Sequence, residues 1–378
     1  MLSYWEQQSF IGYNHIVIGA GIVGLSTAIE LKEKFPAQSA LVLERGLLPT
    51  GASSRNAGFA CMGSLTEILD DTQYNSEAEI VKLYEWRKKG LELLRSRLGD
   101  AAIGYKNNGS YELIGEKELS ALEKMDDIND LLLPVTKQPA FRLMNNKIEQ
   151  FGFSKNAVKA LVENTCEGEL HTGKMLRALT DYALMKGVEI KTGAEVCRFD
   201  EEEKQVVVQV ADPVRDEMLK LHCDTLSICT NAFTTQLLPD EDVIPGRGQV
   251  LITNPIEGLK FKGVYHFDKG YYYFREIDGR VLLGGGRNLD FEGEATTVFA
   301  LTDLIQKDLE EKMRTVILPE TDFSIAQRWV GIMAFGKTKQ PIIKAFSTRV
   351  YGAFRMGGMG VALGSDAGRQ LADLIKQA

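Results

Sequence analysis

The sequence predicts an α/β fold in which a Rossmann-like domain is combined with an inserted domain that contains a mixed or antiparallel β-sheet. The chain of 378 residues exceeds what one hydrophobic core usually supports, so two domains are expected. Residues 14–28 follow the pattern of a strand, a glycine-rich turn and a helix. Beyond residue 250 the pattern changes to short β-rich runs joined by turns.

The first element ends in a turn whose glycines each have a physical role. A run rich in β-branched residues precedes Gly19, which lets the chain leave the strand sharply. Gly21 has no Cβ, so backbone N–H groups can approach a pyrophosphate, and Gly24 lets the following helix pack closely on the sheet. The N-terminus of that helix would direct its positive dipole end at the phosphates. This spacing predicts a dinucleotide site.

An acidic residue follows at the place where such a site needs one. The next strand, at 40–43, comes after Pro36 and ends at Glu44, about 20 residues beyond the glycines. A carboxylate there accepts hydrogen bonds from the ribose hydroxyls of adenosine and repels a 2′-phosphate, which disfavours NADP. The alternative is an ordinary acid at a strand end, but strand, turn, helix and acid stand in the expected order.

Composition and charge argue against several classes of protein. A chain that is 44% hydrophobic and 25% charged is typical of a soluble globular protein, and a net charge of −8 argues against nucleic acid as the main partner. Five cysteines without C-x-x-C spacing argue against disulfides or zinc and favour the cytoplasm. The acidic run at 126–130 is interpreted as a loop, and no metal site is predicted. Residues 1–13 do not resemble a signal peptide, and without a transmembrane segment only peripheral membrane contact stays open.

A loop of small and polar residues at 45–60 follows Glu44 directly, and in most proteins such a loop is a flexible surface connection. Together with Gly19-Ala20-Gly21-Ile22-Val23-Gly24 and Glu44-Arg45, however, the run Gly51-Ala52-Ser53-Ser54-Arg55-Asn56-Ala57-Gly58 resembles the D-amino-acid oxidase superfamily of FAD-dependent oxidoreductases. That group includes glycine and sarcosine oxidases, D-amino-acid dehydrogenases, γ-glutamylputrescine oxidoreductase-like enzymes and L-2-hydroxyglutarate dehydrogenases. The resemblance implies a Rossmann-like domain that binds FAD.

The resemblance also implies where FAD is bound. The loop at 51–58 would wrap the flavin, Val196 would lie under the adenine, and Thr230 and Asn231 would lie beneath the ribityl chain. A glycine-rich turn at 357–361 would place a helix N-terminus near the pyrimidine oxygen of the flavin, where its dipole favours the anionic reduced form. The predicted cofactor contacts are Gly19, Gly21, Ile22, Val23, Gly24, Glu44, Arg45, Ser53, Ser54, Asn56, Ala57, Gly58, Val196, Thr230, Asn231, Gly357, Gly358, Met359, Gly360 and Val361.

Both domains are predicted to be discontinuous. The FAD-binding domain comprises residues 1–75, 155–235 and 326–378, and the substrate domain comprises 76–154 and 236–325.

The predicted substrate site lies on β-strands of the second domain. Alternation along a strand puts Tyr271, Tyr273 and Arg275 on one face, which could line a substrate cavity. The alternative is a strand that uses tyrosine for its β-propensity, with the hydroxyl groups at the rim. The resemblance favours the cavity, since the family carries Tyr and Arg at this place. These three residues and Met333 are the candidate catalytic residues.

Two departures from the family bear on the substrate and the acceptor. Glycine oxidase and its relatives carry an arginine for the substrate carboxylate where this chain has Met333, so Arg275, Arg247, Arg328 or Lys337 would have to supply the charge. The lysine that sarcosine oxidase-like members use for oxygen activation is replaced by the apolar residues at 281–283, which favours a dehydrogenase over an oxidase. Residues 329–335 contain no cysteine for covalent flavin attachment, so FAD is expected to bind non-covalently.

The predicted reaction is oxidation of the C–N bond of an amine or amino acid, with hydride transfer to flavin N5. No general base stands out, and His171 is assigned to a helix entry. Three alternatives stay open: a 2-hydroxy-acid dehydrogenase of the same fold, an NAD-dependent Rossmann dehydrogenase, and a flavin-bearing binding subunit without catalysis. The loop at 53–58 argues against the NAD-dependent enzyme, and the sequence assigns no electron acceptor.

Overall fold

The computed structural model describes residues 1–212, 214 and 217–377. The helices are α1 (Tyr4–Ser9), α2 (Ile22–Lys34), α3 (Ala52–Arg55), α4 (Leu65–Asp71), α5 (Glu77–Leu98), α6 (Asp100–Ile103), α7 (Met125–Thr136), α8 (Lys147–Phe151), α9 (Thr172–Met185), α10 (Asp303–Lys312) and α11 (Gly360–Gln377). The strands are β1 (Gly12–Ile18), β2 (Ala40–Glu44), β3 (Phe59–Ala60), β4 (Ser110–Ile114), β5 (Phe141–Leu143), β6 (Ala160–Asn164), β7 (Gly168–Glu169), β8 (Val188–Thr192), β9 (Val196–Glu201), β10 (Val206–Asp212), β11 (Glu217–Ile228), β12 (Ile244–Thr253), β13 (Val264–Phe267), β14 (Tyr272–Ile277), β15 (Arg280–Gly285), β16 (Ile325–Phe335), β17 (Ile342–Ala345) and β18 (Val350–Phe354). Short 3-10 segments lie at Glu116–Lys124, Asn231–Gln236 and Arg287–Leu289, and a π-helical turn lies at Met313–Ile317.

The first sheet has the strand order β17-β18-β11-β1-β2-β8. Its central strands are parallel: β1 pairs with β2 and β11, β2 with β8, and β11 with β18. Alternate residues of β1 face opposite sides, so Val17 joins the core under α2 while Ile16 and Ile18 join a second core with β10. A helical layer and the antiparallel strands around β10 therefore cover opposite faces, which confirms the predicted Rossmann-like α/β domain.

The last helix, α11, completes the helical layer by packing on α2 and α5. Two glycines of α11 allow the close approach to α2. A Cβ added at Gly364 would lie 2.7 Å from Cγ2 of Ile22, and one added at Gly368 would lie 2.7 Å from Cβ of Ser26. The N-terminal turn that follows β1 is thus braced by the C-terminal end of the chain.

The second sheet has the strand order β16-β12-β15-β14-β13-β4-β6-β5. Its strands pair antiparallel except for β13 and β4, which are parallel, and the predicted mixed sheet is confirmed. Asp278 and Gly279 form the hairpin turn between β14 and β15, with φ values of 51° and 71°. One face carries an aromatic core that consists of Tyr111, Phe153, Phe261, Tyr265 and Phe274. Strands β6 and β16 belong to this sheet, although most of their residues fall in the segments 155–235 and 326–378 that were assigned to the FAD-binding domain. The domain boundaries at residues 155 and 326 stay predictions.

The acidic run at 126–130 lies within α7, so the loop interpretation is wrong. Ile128, Asn129 and Leu132 of this helix are buried at helical spacing. The side chain of Asn129 bonds both the N–H and the carbonyl of Phe141, at 2.8 and 2.9 Å. Pro134 lies in the last turn of α7, where it has no N–H to donate to the carbonyl of Asp130.

Helices α5 and α9 both begin with side-chain caps. Helix α5 begins with a capping box between Ser76 and Glu79. His171 caps α9, because its Nδ1 accepts a hydrogen bond from the N–H of Lys174 at 3.2 Å, which confirms the helix-entry role. Within the part of the chain that the structure describes, no helix has the length and apolar character to cross a membrane.

Candidate active site

A cavity of about 490 Å³ is lined by residues of both sheets. The predicted site residues that line it are Gly19, Gly21, Ile22, Val23, Glu44, Arg45, Ser53, Asn56, Ala57, Val196, Thr230, Asn231, Tyr271, Tyr273, Met333, Gly357, Gly358, Met359, Gly360 and Val361. Gly24, Ser54, Gly58 and Arg275 are not among the lining residues. The fold therefore brings most of the residues singled out in the sequence to one continuous space.

The glycine turn after β1 has the geometry that its spacing predicts. Gly19 has a φ of 105°, and Gly21 forms the N-cap of α2 without a capping side chain. A Cβ at Gly24 would lie only 1.9 Å from the carbonyl oxygen of Gly19. Oγ of Ser53 accepts the N–H of Ile22 at 3.0 Å, so the loop at 51–58 lies directly over the turn. The N-terminus of α2 consequently opens into the cavity.

Glu44 and Arg45 lie at one end of the cavity together with Val196. The Glu44 carboxylate is buried and accepts the N–H of Ala20 at 3.1 Å and that of Gly46 at 3.0 Å. The Arg45 guanidinium lies 3.7 Å from the ring centroid of Phe233, a contact that the sequence analysis did not predict. This end presents a carboxylate, a fixed cation and an aromatic ring.

The loop at 51–58 is fixed by its own polar side chains. The Asn56 amide donates to the carbonyls of Ala52 and Ser53, and its oxygen accepts the N–H of Gly58 at 2.9 Å. Ser54 donates to carbonyl oxygens of the same loop, which explains why it faces away from the cavity. The indole N–H of Trp329 donates to the carbonyl of Arg55 at 3.0 Å and ties the loop to β16.

A second fixed turn follows β11. Asn231 has a φ of 47°, and its Oδ1 accepts the N–H groups of Arg355 and Met356 at 3.1 and 3.2 Å. The N–H of Gly357 donates to the carbonyl of Ala334 at 3.0 Å. These bonds bring together the turn after β11 and the entry to α11, two segments that the sequence assigned separately to the cofactor.

The second sheet supplies an aromatic wall. Tyr273 and His266 are paired across β13 and β14, and both rings contact Phe59 edge to face, at centroid distances of 5.6 and 5.0 Å. Burial raises the pKa of Tyr273 to about 12 and lowers the pKa of His266 to about 4, so both groups are neutral near pH 7. Nε2 of His266 is buried without a hydrogen-bond partner among the described residues.

Sequence reasoning missed His266 although a signal was present. The β13 residues alternate between the aromatic core, which takes Tyr265, and the opposite face, which takes His266. Applying to β13 the alternation already used for Tyr271 and Tyr273 would have placed His266 on the cavity wall.

Arg275 lies on the predicted face but is engaged by the protein itself. Its Nη1 donates to the carbonyls of Leu170, Ala57 and Gly58 at 2.8, 3.2 and 3.2 Å. Its Nη2 forms an ion pair with the buried carboxylate of Glu169 at 3.3 Å. This arrangement favours a role in joining the second sheet to the loop at 51–58, and the predicted catalytic role has no support from its position.

The other cations considered for the substrate carboxylate are also engaged. Arg247 forms a buried ion pair with Glu294 at 2.7 Å, and Arg328 pairs with Glu310 at 2.6 Å. Lys337 does not line the cavity, whereas Arg287 does, and Arg287 was not singled out in the sequence.

The sequence matches a known family model over residues 14–374, a span that includes nearly the whole chain, and the description of that model is FAD dependent oxidoreductase. The chain belongs to this family of FAD dependent oxidoreductases. The match confirms the resemblance to the D-amino-acid oxidase superfamily and the assignment of FAD as the cofactor.

Relatives of this FAD dependent oxidoreductase agree with the assignment. It is 24% identical over 379 residues to the "Probable oxidoreductase OrdL" of Haemophilus influenzae. That alignment covers 95% of this chain and 82% of the relative. Its fold is similar to that of L-proline dehydrogenase from P. horikoshii, with a TM-score of 0.76, 19% identity and coverage of 97% and 94% of the two chains. It is also similar to glycine oxidase from Geobacillus kaustophilus, with a TM-score of 0.76, 17% identity and coverage of 97% and 95%.

Buried carboxyl groups hold one wall of the cavity in this oxidoreductase. Glu167 accepts the N–H groups of Met62 and Gly63 and the hydroxyl of Ser110, and Glu112 accepts the N–H and hydroxyl of Thr66. Burial raises the pKa of each carboxyl to about 7. The segment that connects β3 to α4, next to the lining residue Cys61, is therefore held by groups that titrate near neutral pH.

The variant E167Q is expected to gain stability relative to wild type as the pH rises from about 5 to 8. The pKa of Glu167 is raised by burial from its ordinary value of 4.5 to about 7, so the folded state retains a proton that the unfolded state releases, and wild type loses stability over that window. Glutamine keeps the neutral form and removes this loss, a relative gain of about 3 kcal/mol.

Chemical denaturation at pH 5, 6, 7 and 8 measures this difference. E311Q, which removes an exposed carboxylate from α10, controls for the change in net charge. A constant stability difference between E167Q and wild type across this range would contradict the assignment.

Proposed function

We propose that this protein oxidises the C–N bond of an amine or amino acid by hydride transfer to non-covalently bound FAD. The observation that carries the proposal is the continuous cavity, which joins the N-terminus of α2 to the aromatic wall of the second sheet. The bound flavin would supply the electron acceptance for the reaction, and the chain would supply binding, orientation and exclusion of water.

The residues that line the cavity fit FAD. Glu44, Arg45 and Val196 would hold the adenosine, with the Glu44 carboxylate already fixed by the backbone of the turn. The missing Cβ of Gly21 lets the loop at 51–58 lie close over the turn, since a Cβ there would lie 2.9 Å from Oγ of Ser53. The small residues of the loop at 51–58 and the turn at 357–361 would accept the flat ring without obstruction.

The wall formed by Tyr273, His266 and Met333 supports a substrate that reacts in its neutral amine form. All three side chains are uncharged near pH 7, because burial raises the pKa of Tyr273 and lowers that of His266. A neutral amine needs no base for hydride transfer, and an apolar wall disfavours a charged ammonium group beside it. Some proteins of similar fold bear the names glycine oxidase and iminodiacetate oxidase, in line with this substrate class.

A dehydrogenase is favoured over an oxidase. Val281, Leu282 and Leu283 of β15 are buried and apolar, so these three positions offer no cation to activate oxygen. Oxidation of a 2-hydroxy acid is the second candidate. It is favoured by Nε2 of His266, which has no partner among the described residues and would accept a hydrogen bond from a substrate hydroxyl at the cavity wall.

The visible spectrum of the purified protein tests these proposals first. We expect flavin absorption bands that bleach when amino acids, N-methyl amino acids or polyamines are added without oxygen. Bleaching by 2-hydroxy acids alone would select the second candidate, and a protein that cannot be loaded with FAD would overturn both. Reoxidation in air that is slow compared with reoxidation by an artificial dye would support the dehydrogenase.

A further inference from the structure

The cavity contains a cation, Arg287, for which the described residues supply no counter-ion. Arg287 follows β15 directly, after two glycines, Gly285 and Gly286, with φ values of 137° and 76°. These glycines turn the chain so that Arg287 lines the cavity beside Tyr271. The side chain is half-buried there, and a charge removed from water requires a partner of opposite sign.

Two aromatic rings fix the plane of this side chain. Cζ of Arg287 lies 4.0 Å from the ring centroid of Phe335 and 4.8 Å from that of Phe291. Gly246 makes room for the stack, since a Cβ there would lie 2.4 Å from the Phe335 ring and 3.6 Å from Cδ of Arg287. A guanidinium held by its faces keeps its N–H edges available for a planar anion.

No described residue accepts a hydrogen bond from the Arg287 side chain or pairs with its charge. Two carboxylates of the following loop are engaged elsewhere. Glu294 accepts from Arg247 at 2.8 and 2.7 Å and from Gln249 at 3.0 Å, and Asp290 accepts the N–H of Gly293 at 2.8 Å. Arg287 is therefore available to an anion that enters the cavity.

The neighbouring cations of the cavity differ from Arg287 in this respect. Lys269 pairs with Asp70 at 2.7 Å, while Lys339 pairs with Asp71 and Arg355 with Asp242, both at 2.5 Å. Arg55 donates to the carbonyls of Thr50 and Val330. Each of these side chains already has a partner in the protein, so Arg287 is the available cation beside the aromatic wall among the described residues.

We propose that Arg287 binds a carboxylate of the substrate, so that the substrate is an amino acid or another amine that carries a carboxylate. This inference rests on the proposed amine oxidation. A Cβ added at Gly246 would lie 3.6 Å from Cδ of Arg287, and one added at Gly248 would lie 2.9 Å from Cε of Met333. Because Gly246 and Gly248 share one face of β12, the two side chains lie over neighbouring positions of that face. The positive charge at this end of the cavity comes from the residue after β15, while Met333 supplies an apolar surface for the carbon chain.

Binding of simple carboxylates to the FAD-loaded protein tests the proposal. Propionate carries the carboxylate without an oxidisable amine, and propionamide is its neutral counterpart. Each is titrated by calorimetry and by the change in the flavin absorption spectrum. We expect propionate to bind wild type and propionamide to bind much more weakly. R287M should weaken propionate binding by about 10- to 100-fold, and R287K should fall between R287M and wild type.

R314M is the matched control, because Arg314 also lies over an aromatic ring, at 5.3 Å from the Phe323 centroid, but it is exposed and does not line the cavity. It should bind propionate as wild type does. The FAD content of each variant shows whether it has folded. Equal propionate affinity in R287M and wild type, or no propionate binding to wild type, would overturn the proposal.

The two proposals fail in different ways. Flavin that is bleached by polyamines, in a protein that does not bind propionate, would refute carboxylate recognition by Arg287 and leave amine oxidation intact. Propionate binding that depends on Arg287, in a protein whose flavin no amine or amino acid can bleach, would refute the oxidation and support the anion site.

Discussion

Replacing Gly24 by alanine is expected to abolish FAD binding. The new Cβ would lie 1.9 Å from the carbonyl oxygen and 3.1 Å from the carbonyl carbon of Gly19, and 3.3 Å from Cγ1 of Val17. Gly19 cannot move aside easily, because its N–H donates to the carbonyl of Leu43 at 2.8 Å and it already has a positive φ. The start of α2 must shift away from β1, and the turn loses the shape that accepts phosphate.

The loss of FAD affinity should be at least about 100-fold, since several contacts are displaced together. Quenching of flavin fluorescence on binding to the apoprotein measures it. G12A makes the same chemical change in β1, at a glycine whose added Cβ would meet nothing within 4 Å, and should bind FAD as wild type does. Tight FAD binding by G24A would show that the turn does not depend on this close approach.

Replacing Arg275 by methionine is expected to lower the free energy of unfolding by about 3–5 kcal/mol. The change leaves the carboxylate of Glu169 buried without its ion pair, and three carbonyl groups lose their donor. The side chains of Arg275 and Glu169 are only 6% and 3% exposed, so water cannot replace the lost partners.

Urea denaturation of R275M beside R314M measures this effect. Arg314 forms an ion pair with Glu310 but is 60% exposed, and its removal should change stability by less than about 1 kcal/mol. If Arg275 instead has the catalytic role predicted from the sequence, R275M would have the unfolding free energy of wild type and would lose only its turnover.

Local patterns were sufficient to predict the glycine turn after β1 and much of both sheets. The spacing of Gly19, Gly21 and Gly24 reflects contacts between neighbouring segments, and alternation in β14 correctly separated Tyr273 from Phe274. Such patterns depend on one element and its immediate neighbours, which is why a single sequence contains them.

The role of a charged residue depends on partners that are distant in sequence. Arg275 was assigned to the cavity because its partner Glu169 lies 106 positions earlier, and nothing in the strand pattern indicates that pairing. Arg287 was overlooked for the opposite reason: its importance follows from the absence of a partner, which only the fold reveals. The aspartates at 126–130 led to the loop interpretation of a segment that is helical. One contact that fixes this helix, between the Asn129 side chain and the backbone of Phe141, joins residues 12 positions apart.

The way in which the chain alternates between the two sheets has a consequence for folding. The first sheet needs β1 and β2 from the N-terminal region, β8 to β11 from the middle and β17 and β18 from near the C-terminus, while the second sheet takes strands from the intervening segments. Neither sheet can form from one contiguous stretch of the chain, and α2 stays uncovered until α11 packs on it. We therefore expect slow folding in which both domains acquire protection from hydrogen exchange together, and truncation of α11 should leave the whole chain sensitive to protease.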